Sequence, residues 1–144
     1  MKTLLGLILF TFFATSNVNA QDGKALYIRC ASCHQQNGAG ITNAIPPLAG
    51  SSWVTGPASR AIAIVIHGVQ GPIKVGNITY NGMMSAYGIG QPMTDAEVAA
   101  VVTYIRTNFS NKASPVTAAQ VAQVRTATKG RKTAMTETDL LKLK

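Results

Sequence analysis

Apolar residues are distributed along this chain in three ways: one unbroken run, several stretches at helical spacing, and long intervals where they are sparse. The unbroken run comes first. Leu4 to Ala14 is apolar or small throughout, Lys2 supplies a charge before it, and Val18-Asn19-Ala20 ends it in small residues. The run is too short to span a bilayer, and the layout is that of a secretory signal peptide, residues 1–20, with cleavage expected after Ala20 and an uncleaved membrane anchor as the alternative. Residues 23–33 then carry a helical pattern, and Gln35–Gly56, rich in Gly, Asn, Pro and Ser, reads as a loop. A strongly apolar helix is predicted from Pro57 or Ala58 to His67, stopped by Gly68. From Gly68 to Gln91 the pattern again reads as loop. Turn signals stand at Gly71-Pro72 and Asn81-Gly82, and Ile78-Thr79-Tyr80 is a weak strand candidate. Thr94-Asp95-Ala96-Glu97 is a capping box, and behind it Val98, Val101, Val102, Ile105 and Phe109 fall on one helical face. A second box, Thr117 to Gln120, opens a helix with Val121 and Val124 inward; from Thr126 on, rising polarity and charge predict a loss of order. No internal repeat is present. The predicted fold class is all-α, with short helices and long loops.

The charge changes this picture at one end. The net charge of +8 is uneven: residues 21–110 hold five basic and three acidic side chains, residues 111–144 seven basic and two acidic. The chain therefore divides into the signal segment 1–20, a body 21–110, and a basic, partly helical C-terminal extension 111–144. An exported chain rarely meets nucleic acid, so that partner class is set aside. The extension reads as a steering surface for an acidic protein partner or an anionic membrane surface, with a merely solvated tail as the alternative.

The chemistry is concentrated in Cys30-Ala31-Ser32-Cys33-His34, which contains both cysteines and one of the two histidines. C-x-x-C-H is the attachment spacing for c-type haem. Two thiols one helical turn apart can each add to a porphyrin vinyl group, and the adjacent imidazole can bind iron. Three other readings compete and are weaker. A thioredoxin-like dithiol wants a βαβ pattern, which does not follow. A zinc tetrad needs two further Cys or His ligands, and only His67 remains. A disulfide closing so small a loop removes little chain entropy. A mature chain of this size has a modest core, which a covalent haem supplements, and long loops make sense wrapped around a flat ligand.

The chain resembles the class I monohaem cytochromes c, above all the small bacterial ones that serve dehydrogenases and terminal oxidases. Besides the attachment motif, the resemblance rests on Gly23 and Tyr27, Pro46-Pro47-Leu48-Ala49-Gly50-Ser51, Ile66 to Gly71, Tyr80-Asn81-Gly82-Met83-Met84, and Met93 to Glu97 with Val101 to Arg106. It covers about Gly23 to Phe109. It implies the cytochrome c fold and one covalent haem c bound through Cys30 and Cys33. It also implies His34 as one iron ligand and Met84 as the other, with Met83 the rival and Met93 a core residue. A proline carbonyl at Pro46 or Pro47 is implied as acceptor for the histidine's second ring nitrogen. Trp53 is a candidate for the haem edge near a propionate or for plain packing, and His67 for a helix end outside the site. Gly23 and Tyr27 would face Tyr104 where the first and last family helices cross. Three departures stand out. Tyr27 lies three rather than four residues before Cys30, Ser85 replaces the proline common after the methionine, and the extension lies outside the shared pattern.

The function this implies is one-electron transfer in the periplasm, between a dehydrogenase or bc1-type donor and a terminal reductase or oxidase, with haem attachment machinery as an earlier partner. The chain is then a carrier and not an enzyme. Its rivals are a cytochrome subunit fixed to a larger dehydrogenase or oxidase, and a haem peroxidase or gas sensor with an open distal position. No hydrolytic triad, phosphate loop or paired-carboxylate site is present among five acidic residues.

Overall fold

A computed structural model describes residues 20–88 and 90–144. The expected signal segment lies outside the described residues but for Ala20. Six helices and one hairpin follow in the order α1 (Ala20–His34), α2 (Ser52–Thr55), α3 (Ala58–His67), β1 (Val69–Val75), β2 (Ile78–Met84), α4 (Asp95–Thr107), α5 (Ala118–Ala127) and α6 (Glu137–Leu141).

Helix α4 is the centre of the core. Thr94 Oγ1 accepts from the Glu97 amide, and the Glu97 carboxylate accepts from the Thr94 amide at 2.8 Å, so the capping box closes from both sides. Val98, Val101, Val102 and Ile105 are buried as their spacing predicts. The helix stops at Thr107. Phe109 lies beyond it with φ +56°, in the left-handed region, and from there its ring reaches Tyr27. Helix α1 crosses α4 at Gly23. A Cβ there would stand 2.8 Å from Tyr104 Cβ and nearer still to the Ala100 carbonyl oxygen, so the backbones touch because the side chain is absent.

The all-α expectation needs correction. β1 and β2 form a two-stranded antiparallel hairpin in the register Val69↔Met84 to Val75↔Ile78. The turn is Gly76-Asn77, with only Gly76 at positive φ, as a type II′ turn requires. Asn81-Gly82, which carries the stronger turn signal, lies inside β2. Pro72, which has no N–H to donate, is tolerated because the ribbon has only two strands.

The extension is ordered where polarity predicted otherwise. A third capping box at Thr136 and Asp139 opens α6, and Val121, Val124, Met135 and Leu140 join the same core as α4. His67, at the end of α3, meets α5: its Nε2 lies 2.7 Å from Thr128 Oγ1. That hydroxyl donates to the Val124 carbonyl, so its oxygen accepts from the imidazole. Burial, then the guanidinium groups of Arg131 and Arg125, lower the His67 pKa.

Two outcomes follow from this packing. Gly23→Ala forces α1 from α4 and should lower stability by about 1–3 kcal/mol, the usual range for overpacking, measured by denaturant unfolding of the holoprotein. His67 binds a proton less readily folded than unfolded, so its contribution is complete above its ordinary pKa and lost as pH falls through and below it. Thermal midpoints should fall between about pH 7 and pH 5, and less steeply in His67→Gln, which keeps an N–H for Thr128. Equal slopes in the two proteins would refute this.

Candidate cofactor site

The last turns of α1 deliver Cys30, Cys33 and His34 together. Cys30 is buried and Cys33 exposed. Burial, reinforced by the nearby Cys33, pushes the Cys30 thiol up to about 11. The His34 ring is buried, and its Nδ1 lies 3.0 Å from the Pro46 carbonyl oxygen. A carbonyl only accepts, so Nδ1 carries the hydrogen and Nε2 keeps its lone pair. Burial lowers the His34 pKa and the Pro46 bond partly offsets it, which favours the neutral imidazole a metal needs. Of the two prolines named by sequence, Pro46 is the acceptor.

The loop that brings Pro46 there is folded on itself. Ile41 pairs with Ile45, the Gly40 amide donates to the His34 carbonyl, and the Leu48 amide to the Gly38 carbonyl. Its far end is held by Asn111. The amide oxygen of that residue accepts from the Gly50 N–H at 2.8 Å, while its Nδ2 donates to the carbonyls of Leu48 and Ile105. Arg106 ties the end of α2 to the segment after α4, donating to the carbonyls of Val54, Gly56 and Ser114. Sequence reading missed both roles. A polar residue in a Ser-Asn-Lys stretch reads as solvated loop, and nothing local marks it as buried.

A cavity of about 330 Å³ opens beside these groups, lined by Cys30, Cys33 and His34 from α1 and by Ile73, Tyr80 and Met84 from the hairpin. An adjoining cavity of about 80 Å³ shares Cys30, His34 and Met84 and adds Trp53, Val102 and Ile105. Strand parity separates the two methionines. Val69, Ile73 and Val75 of β1 share a face with Tyr80 and Met84 of β2, and that face is turned to the core. Met83 lies on the opposite face and is 78 % exposed; it also lines the larger cavity, but only Met84 lines both. Met93 is buried in the core. Trp53 lines the smaller cavity, with its indole N–H donating to the Lys74 carbonyl at 2.7 Å, so it packs with its polar end already satisfied. His67 stands apart from both cavities.

Among the described residues no three His, Cys, Asp or Glu side chains cluster as a cage for a bare ion. What converges instead is a neutral imidazole, a thioether and two thiols at i and i+3 around apolar walls. This donor set fits iron already held in a macrocycle.

Comparison with known proteins agrees. The profile of the family described as Cytochrome c matches residues 20–109. Cytochrome c-552 of Thermus thermophilus is 35 % identical over 133 residues, which cover 86 % of each chain. The cytochrome c subunit of the quinone alcohol dehydrogenase of Gluconacetobacter polyoxogenes is 32 % identical over 115 residues, 78 % of this chain but 24 % of that subunit. The fructose dehydrogenase cytochrome subunit of Gluconobacter japonicus is 34 % identical over 110 residues, 72 % of this chain and 22 % of its own length. The family match spans the helix that carries the thiols, the cavity and the hairpin, and so the chain belongs to the cytochrome c family, as a class I electron carrier with covalently bound haem c.

Proposed function

We propose that this chain is a periplasmic one-electron carrier whose haem is attached through Cys30 and Cys33 and ligated by His34 and Met84. The observation that supports it best is the convergence on one cavity of a histidine and a methionine, each already oriented. His34 is fixed by the Pro46 carbonyl, and Met84 by its place on the inward face of the hairpin. When bound, the haem supplies the Fe(III)/Fe(II) couple. The chain holds both ligands in fixed positions, so that little reorganises on electron transfer, and surrounds them with apolar side chains that keep water away. A thioether with an imidazole favours the reduced state and raises the potential. Burial, which pushes the Cys30 thiol up to about 11, makes it a poor nucleophile in the closed fold.

The donor is a dehydrogenase or bc1-type complex and the acceptor a terminal reductase or oxidase. Lys112, Lys129, Lys132, Lys142 and Lys144 are all exposed, a surface suited to an acidic partner or an anionic membrane. The likeness to dehydrogenase cytochrome subunits supports a second reading, in which the chain stays bound to such a complex.

Met84→Ala tests the ligand assignment. It should abolish the sulfur-to-iron charge-transfer band of the ferric protein, lower the reduction potential and strengthen binding of added imidazole by roughly tenfold or more. Met83→Ala should leave all three unchanged; the reverse pattern would move the ligand to Met83. Exchanging Lys129, Lys132 and Lys142 for Gln should slow association with the redox partner and flatten its salt dependence, measured by stopped-flow reduction.

A further inference from the structure

The C-terminal extension grips the methionine loop from both ends. Before the methionine, Met135 runs parallel to Val69. Its N–H donates to the Gly68 carbonyl at 3.0 Å, and its carbonyl accepts from the Gln70 N–H at 2.8 Å. Val69 is in turn the cross-strand partner of Met84, so Met135, Val69 and Met84 form one row. Gly68, at φ +72°, tightens that row: a Cβ there would strike the Met84 carbonyl oxygen and stand 3.0 Å from the Ala86 nitrogen. After the methionine, Arg125 of α5 donates to Tyr87 Oη at 2.8 Å, to the Met93 carbonyl at 2.7 Å and to the Asp95 carboxylate. The extension is itself anchored. Leu140 is fully buried, Arg131 pairs with Asp139 at 3.0 Å, and Arg60 donates to the Leu143 carbonyl.

We propose that the extension is the positioning element for Met84, acting through Met135 and Arg125 on either side of it; this rests on Met84 being the iron ligand. The physical need is plain. A neutral thioether is a weak donor to oxidised iron, and it stays bound when its loop has little freedom left to lose. Ser85 stands where the resembling family commonly has a proline, so the loop's rigidity comes from outside it. The extension supplies that rigidity through backbone pairing on one side and a three-armed guanidinium on the other. Arg125 and Met135 are positioning residues: neither lines the cavity that Met84 faces.

The test uses the full-length ferric holoprotein carrying Arg125→Leu, Met135→Pro, or both. Met135→Pro removes the N–H that Gly68 receives. The charge-transfer band should weaken in each and vanish in the double variant, and imidazole should bind roughly tenfold more tightly, the scale at which metal sites respond to lost outer support. Far-UV dichroism and covalent haem content should stay unchanged, and Arg125→Lys should restore part of the band. An unchanged band and imidazole affinity in the double variant would overturn the proposal. A native protein without the band, or a band that survives Met84→Ala, would instead remove the ligand assignment beneath it. Should the double variant not fold, the unaltered holoprotein decides. In rising guanidinium, loss of the band should coincide with exchange of the Gln70 and Met135 amides. Exchange of these amides with the band intact is the opposing result.

Discussion

The contact of Gly23 with the backbone of α4 is the constraint from which the remaining geometry follows. With no side chain in the way, α1 lies directly on Ala100 and Tyr104, and the cysteines and His34 are carried on the other end of the same helix. Tyr27 locks that end. Its ring packs at 5.4 Å from Tyr104 and 5.1 Å from Phe109, and its hydroxyl donates to the Gln35 carbonyl just past the helix. Burial pushes the phenol up to about 12, so it remains a donor throughout the physiological range. The helix axis and the end of the helix are thus fixed by packing and the Tyr27 hydrogen bond, and the loop that carries Pro46 completes the setting of the imidazole.

Buried hydrogen bonds fix those loops. Among the described residues no buried side-chain nitrogen or oxygen lacks a partner. Asn111 donates to the carbonyls of Leu48 and Ile105, and Arg106 to those of Val54, Gly56 and Ser114. A bond of this kind contributes about 1 kcal/mol net, whereas a buried polar group left without its partner costs about 1–3 kcal/mol. Their effect is therefore mainly to exclude other loop conformations. Pro46 meets His34 because Asn111 holds the far end of its loop to the end of α4.

Local signals were legible in the sequence and non-local ones were not. The capping boxes at Thr94 and Thr117 are read directly, because both partners lie within one helical turn. The attachment motif is legible for the same reason. The hairpin is obscured by Gly71, Pro72 and Gly82, which depress strand propensity, while its real turn at Gly76-Asn77 is quieter than Asn81-Gly82. Read as a loop, the segment left Met84 preferred over Met83 by resemblance alone, whereas on a strand the two face opposite ways. The order of the extension was illegible because Met135 and Leu140 stand in a short, mostly polar stretch with no helical periodicity long enough to predict a buried face. Their burial depends on Val69 and α3, far away in sequence.

The extension also shows how one basic segment can separate two tasks by residue type. Its arginines turn inward: Arg125 serves three acceptors with one planar fork, and Arg131 holds Asp139, geometries that a single ammonium could not reproduce. Its lysines turn outward. Apart from Lys142, 3.9 Å from Asp139, they form no ion pair among the described residues. The charge offered to a partner can therefore vary without disturbing the row from Met135 to Met84. The net positive charge of the extension, read from sequence as one property, belongs to two separable sets of side chains.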